Sequence, residues 1–286
     1  MRTMAAVVID AHHHFWDPRI AAYPWMTGSY EPLRKPYGPS DLAPLLEEVG
    51  VTVTIAVQAR QELDETLFLL EMANRTSWVA GVVGWVDVTR ADVAETIARI
   101  REGEHGNRLV GIRHLVHDEP DPEWLLRDDV LRGLSAVAEA GLVYDLLVRA
   151  RELPAATEVA HRLPGLRFVL DHLAKPPIST HQIEPWASAV GEIASLPNVT
   201  CKVSGLVTEA DWSSWRLADL TPYIAKAVEL FGADRLMWGS DWPVCTLAAT
   251  YSKVFETVVE VLTPLVGDDL ESILGGCAAS TYGLEL

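Results

Sequence analysis

The chain has 286 residues, 49% hydrophobic and 22% charged, which suits a globular protein with a large core and argues against disorder. Forty acidic residues against 23 basic ones give a formal charge of −17 with no Lys/Arg cluster, so nucleic acid and anionic membrane surfaces are disfavoured as partners. Cys201, Cys245 and Cys277 form neither a CxxC pair nor a disulfide framework, and no apolar stretch approaches the ~20 residues of a membrane span, which predicts a cytoplasmic protein.

The first apolar run, "AVVID" (6–10), is too short for a secretory signal and reads as a strand. "YPWMTGSYEPLRKPYGP" lies within a long loop, 16–39, that interrupts the pattern. The second run, "VTVTIAV" (51–57), precedes Leu63, Leu67 and Leu70 at helical spacing. "VAGVVGWV" (79–86) is followed by Val93, Ile97 and Ile100 at the same spacing, and then comes "LVGIRHLV" (109–116). "AEAGL" closes a helical segment before "LVYDLLV" (142–148), as "HRLPGL" does before "LRFVLDH" (166–172) and "ASLPNV" before "VTCKVSG" (199–205). The eighth run is "RLMWGSD" (235–241), followed by Val254, Val258 and Val261. Continuous apolar runs of this length read as parallel strands buried on both faces. Eight of them alternating with helices predict an α/β fold, a single (β/α)8 TIM barrel over residues 1–286. The alternative is an open doubly wound sheet, but no GxGxxG follows any strand.

A barrel carries its chemistry at the C-terminal ends of its strands. Here those ends read "DAHHH", "RHLVH", "LDHLAK", "CKVSG" and "GSDWP". Side chains alternate across a strand, so His12 and His14 share one face, with Val8 and Asp10, and His13 takes the other. An H-x-H pair at a barrel mouth offers two imidazoles to one cation such as Zn²⁺; the plainer alternative is packing. His172 ends the sixth run in phase with Phe168 and Leu170, as a site residue or a core histidine. Asp241 ends the eighth run, as metal ligand, proton acceptor or helix N-cap. Arg113, Lys175 and Lys202 read as carbonyl or carboxylate clamps, or as structural ion pairs. Of ten tryptophans, Trp16, Trp25, Trp124, Trp212, Trp215 and Trp242 fall in loops or near strand ends. They read as sugar-stacking surfaces, Trp16, Trp25 and Trp242 foremost, or as loop staples.

The strings "IDAHHHFWD", "YPWM", "GIRHLVHDEPDPEWL", "YDLLV", "LDHLAKP" and "GSDWP" resemble the amidohydrolase superfamily of the amidohydrolase-2 type. Within it they are similar to the TIM-barrel sugar-acid lactonases, the branch of the L-fucono- and L-rhamnono-lactonases. The resemblance runs from first strand to last. It implies hydrolysis of an aldonolactone ring ester, with His12, His14, His172 and Asp241 matching the metal-site positions. Bimetallic members carry a bridging carboxylated Lys or a Glu on the fourth strand. This chain has Arg113 and His114 there and no ligand His on the fifth strand. The resemblance therefore implies one Zn²⁺ or other divalent metal, or none tightly held, and no organic cofactor.

In the implied mechanism Asp241 takes a proton from water. Zn²⁺ on His12 and His14, or His172 and Arg113 as donors, stabilises the tetrahedral oxyanion. The partner is then a small lactone, and homo-oligomerisation stays open. Two rivals are an aromatic or muconate-type acid decarboxylase on the same scaffold and a non-catalytic metabolite-binding barrel.

Overall fold

Each apolar run overlaps a strand in the computed structural model, which describes residues 7–285. The strands are β1 (Ile9–His13), β2 (Val53–Val57), β3 (Val79–Gly84) and β4 (Leu109–His114). They continue with β5 (Val143–Leu146), β6 (Arg167–Leu170), β7 (Val199–Val203) and β8 (Leu236–Trp238). All pair in parallel in the order β1 to β8. The segment past β8 closes the ring on β1. Asp241 N donates to His12 O at 2.8 Å and His14 N to Trp242 O at 2.7 Å. The result is a (β/α)8 TIM barrel, because every strand has both faces to bury and the helices cover the outer one.

The covering helices are α1 (Pro39–Val49), α2 (Leu63–Arg75), α3 (Val93–Glu102), α4 (Asp128–Glu139) and α5 (Leu153–Arg162). After them come α6 (Trp186–Ala194), α7 (Leu217–Phe231), α8 (Tyr251–Val266) and the short α9 (Cys277–Tyr282). Local sequence sets their ends. Pro39 is pre-set for the first turn of α1, the Asp41 carboxylate accepts from Gly38 N at 2.9 Å, and Gly50 ends the helix at φ +78°. Among the described residues, no helix is long and apolar enough to cross a membrane.

Inside the barrel the lower layer is apolar. Ile9, Ala11, Ile55, Val57, Val83, Val143, Val169 and Met237 pack together, and Cys277, Ala278 and Tyr282 of α9 close that end. The layer above is charged. Arg113 and Asp145 are adjacent in register on β4 and β5, and Lys202 stands on β7. This polarity gradient along the barrel axis decides where chemistry can occur.

The loop after β1 carries its own small core. Trp16, Tyr23, Met26 and Leu33 pack with Ala59, and Trp16 pairs with Tyr37 as an isolated bridge. One buried tryptophan contributes roughly 4–6 kcal/mol of transfer free energy, enough to fix a loop with little regular structure.

Most strands stop one to three residues short of the expected runs, and three ends bear on the site. β1 extends to His13, and Ala6 lies outside the described residues. β6 stops at Leu170 and β8 at Trp238, because the backbone turns left-handed at His172 (φ +53°) and Asp241 (φ +57°).

Candidate active site

The histidine triplet is sorted by a bulge. Ile9 pairs with Val53 and Asp10 with Thr54, but His13 pairs with Ala56, so β1 spends one extra residue there. Asp10 faces outward. It accepts from Ser240 N and Oγ (2.9 and 2.6 Å) and from Tyr251 Oη of α8 (3.0 Å). Ala11 then faces the barrel interior, and so do His12 and His14. The expectation that Asp10 shares their face is thus corrected: the inward pair depends on the bulge. His13 points to the outer layer, with Nε2 2.8 Å from Thr54 Oγ1 and its ring 4.6 Å from Phe15.

His172 arrives by a different route. Strand phase would send it outward with Phe168 and Leu170, which lie in the outer core, so that argument is also corrected. Val169 faces inward, and Asp171 follows it in phase. His172, Leu173, Ala174 and Lys175 then take φ values of +53°, +51°, +56° and +52°. Each such L-residue costs about 1–2 kcal/mol. The turn persists because Leu173 and Ala174 are fully buried and Trp186 Nε1 donates to Leu173 O at 2.6 Å. It presents His172 and Lys175 to one cavity.

At the floor of that cavity Asp241 Oδ1 lies 3.3 Å from His14 Nε2, 3.8 Å from His12 Nε2 and 4.0 Å from His172 Nε2. The carboxylate meets the histidines and does not cap a helix. Arg113 Nη1 reaches Asp171 Oδ2 (2.9 Å) and donates to His12 Nε2 (3.2 Å). Asp171 Oδ1 also forms an ion pair with Lys202, whose Nζ lies 3.0 Å away, and faces His12 Nδ1 at 3.3 Å.

Burial dominates the electrostatics. It drives His12 well below the ordinary imidazole value, against the pull of Asp171, and His172 down to about 4, against Asp241 and Asp171. Both are neutral near pH 7. Burial would raise Asp241, but the His172 and His14 imidazoles outweigh it and hold the carboxyl below its usual range.

The donor set fits a divalent cation. His14 Nδ1 lies 2.8 Å from Val57 O, so it must donate there, leaving the Nε2 lone pair facing Asp241 Oδ1. Two acceptors 3.3 Å apart need a positive centre between them, a proton or a metal. Zn²⁺ in a tetrahedron holds its ligands about 3.3–3.4 Å apart. His14 and Asp241 meet that spacing at 3.3 Å and His12 stands 3.8 Å from Asp241; these three, and His12, Asp171 and His172 as a second group, offer donor atoms within 4.8 Å of one another.

The cavity measures about 300 Å³, the lower end of small-ligand sites. His14, Arg113, His172 and Asp241 line its floor, and Trp25 and Lys175 line its walls. Three expected substrate contacts do not reach it. Lys202 is fully buried below the floor, with Nζ 2.5 Å from Asp145 Oδ2. Trp16 is buried in the loop core, with Nε1 3.1 Å from both Leu33 O and Lys35 O. Trp242 is buried between Phe15 and Tyr37. Trp124 is buried against His114, and Trp215 donates to Ala248 O.

Sequence reasoning missed Asp171, Tyr30, His117, Asp118 and Arg149. Strict alternation from Val169 would have found Asp171; nothing local marks the others.

Two outcomes follow from this geometry. His13→Ala should leave turnover nearly intact and cost about 2–4 kcal/mol of stability through a cavity and an orphaned Thr54. His14→Ala should do the reverse, and parallel melting and rate measurements check both. Gly205 has φ +65°, and a Cβ there would lie 2.7 Å from His172 Nδ1 and 3.1 Å from Asp241 Oδ2. Gly205→Ala should therefore displace both groups and lower kcat about 10–100-fold. Wild-type kcat in that variant would show that the two groups tolerate displacement.

Known proteins share this chain's sequence along nearly its whole length. An L-fucono-1,5-lactonase of Burkholderia ambifaria is 42% identical, covering 97% of this chain and 96% of the relative. Another, of Burkholderia multivorans, is 40% identical, covering 98% and 97%. The crystal structure of an amidohydrolase from Burkholderia multivorans with bound Zn superposes with a TM-score of 0.91 at 40% identity, covering 98% of this chain and all of that one. The sequence profile of the family described as amidohydrolase matches residues 9–284, and with relatives at this identity the chain belongs to the amidohydrolase family.

Proposed function

We propose that this chain is a hydrolase that opens the ring ester of a sugar-acid lactone, with L-fucono-1,5-lactone the first candidate. The observation that carries the reading is the Asp241 carboxyl within 3.3–4.0 Å of three imidazole nitrogens at the floor of a cavity. The full-length lactonase relatives support the substrate class.

The chemistry is acyl transfer from a ring oxygen to water. Asp241 accepts the proton of the attacking water and returns it to the leaving ring oxygen. Arg113 carries a permanent charge at the floor and donates to the oxyanion as it forms. Neutral His172, held at Nδ1 by Ser204 Oγ at 2.8 Å, presents Nε2 to the same space. His12, His14 and Asp241 would hold a divalent cation, Zn²⁺ being the best match. When bound it supplies Lewis-acid polarisation and a more acidic water. Arg113 competes for the His12 Nε2 lone pair, so the cation is read as weakly held.

The rival decarboxylase would release CO₂ and consume a proton; the lactonase releases a proton and no gas. A pH-indicator screen of aldonolactones, with metal content measured on the same preparation, tests the reading. Acid release from L-fucono-1,5-lactone or a close stereoisomer is expected. No acid release from any aldonolactone, with or without added Zn²⁺, would defeat it.

A further inference from the structure

The cavity has two unlike walls. β1 and β5 stand opposite each other in the eight-stranded ring, so the loops beyond them face each other across the mouth. The loop after β1 supplies Trp25 and Tyr30, both half-buried. Trp25 is fixed by Nε1 donating to Ala59 O at 2.8 Å, and Tyr30 by an edge contact with Trp212 at 5.6 Å. The ends of β4, β5 and β6 supply Asp118, Arg149 and Lys175.

This second wall is held ready for polar groups. Glu209 accepts from Lys175 Nζ at 2.6 Å and pairs with Arg149 Nη1 at 3.6 Å. Each cation therefore stands in a fixed place with donors to spare. Arg149 and Lys175 lie close enough to Asp118 to oppose the rise that burial imposes on its carboxyl. Asp118 and Arg149 keep 59% and 51% of their side-chain surface exposed while lining the cavity. Neither is consumed by the fold.

A flat hydrocarbon would waste the charged wall, and a ring with hydroxyls alternating from face to face would leave no continuous C–H surface for the aromatic one. A ring with two adjacent cis hydroxyls on one face, and the C–H groups of the same carbons on the other, satisfies both. Building on the lactonase reading, we infer that Asp118 and Arg149 determine specificity by binding the ring hydroxyls, while the opposite C–H face of the ring lies on Trp25 and Tyr30. Asp118 accepts from hydroxyls and Arg149 donates to them. The substrate class is narrowed to lactones with adjacent cis hydroxyls, as at C3 and C4 of L-fucono-1,5-lactone.

The test compares two six-membered lactones, L-fucono-1,5-lactone and δ-valerolactone, which lacks hydroxyls. In Asp118→Asn and Arg149→Met the ratio of their kcat/KM values should fall about 10–100-fold, the worth of one hydrogen bond to a charged group. Both positions are largely exposed, so folding is not at stake, and melting temperatures verify that. A ratio unchanged within twofold in one variant removes that residue from the wall, and in both variants it overturns the inference. If the wild type opens no lactone, the hydrolytic reading fails, and calorimetry with L-fucose then tests the wall alone. Binding at least tenfold weaker in the variants keeps the wall; equal binding, or none by the wild type, overturns it.

Discussion

Asp241→Asn is expected to lower turnover by about 10²–10⁴-fold, the usual worth of a positioned acid or base. The backbone should not object. Asp241 sits at φ +57°, a conformation that asparagine adopts as readily as aspartate. The amide also keeps an oxygen for the histidines, so substrate binding should change little. Three roles predict three patterns. A proton acceptor loses kcat and does not recover it with metal. A pure metal ligand recovers when excess Zn²⁺ is added. A residue that only shapes the loop retains both activity and melting temperature. The pH profile adds a fourth readout. Asp241 is held below the ordinary carboxylate value of 3.8 by the neighbouring imidazoles, against burial. The wild-type rate should thus hold through mildly acid pH and fall only as pH drops further and the carboxylate takes a proton. His172, lowered to about 4 by burial, becomes cationic in the same region. In the Asn variant the carboxylate part of that acid limb should vanish. Near-wild-type kcat in Asp241→Asn would take the general base out of the mechanism.

The barrel was legible because its strands are buried on both faces. β2 and β3 read as short apolar runs rich in valine, with no polar face to leave in water, and such runs have few other homes. The site was legible only in part. His12 and His14 do converge, yet simple alternation reached that result from a wrong premise, since the bulge turns Asp10 outward. His172 joins them through four left-handed residues that no residue type in "LDHLAK" announces. Asp171 follows Val169 in strand phase and reaches the same face, although a lone carboxylate beside a histidine carries no local mark of it. Lys202 shows the deeper limit. Alternation with Cys201 and Val203 correctly sends it inward. What alternation cannot give is height along the barrel axis, which the stagger of eight strands sets. Lys202 sits one layer below the floor, with the Asp145 and Asp171 carboxylates as its neighbours. Depth also separates Trp25, on the cavity wall, from Trp16 in the core beneath it.

Lys202→Met is therefore expected to act on stability first, with a loss of about 3–5 kcal/mol. Lys202 Nζ bridges Asp145 Oδ2 (2.5 Å) and Asp171 Oδ1 (3.0 Å), and all three side chains have no exposed surface. Removing the cation leaves Asp171 with Arg113 but leaves Asp145 with only the Tyr282 hydroxyl, at 2.8 and 2.9 Å. A buried carboxylate with one neutral donor must either take up a proton or distort its surroundings, and either course costs more than the pair was worth. A loss of this size consumes much of the 5–15 kcal/mol that holds a typical domain, so the melting temperature should fall steeply. Adding Asp145→Asn should recover part of it. The amide carries no charge, and its oxygen still accepts from Tyr282. A substrate clamp predicts the opposite result: melting unchanged, KM sharply raised, and no rescue by the second substitution. Denaturation midpoints of the single and double variants separate the two, and a single variant as stable as wild type would show that the charged layer above α9 does not hold the barrel together.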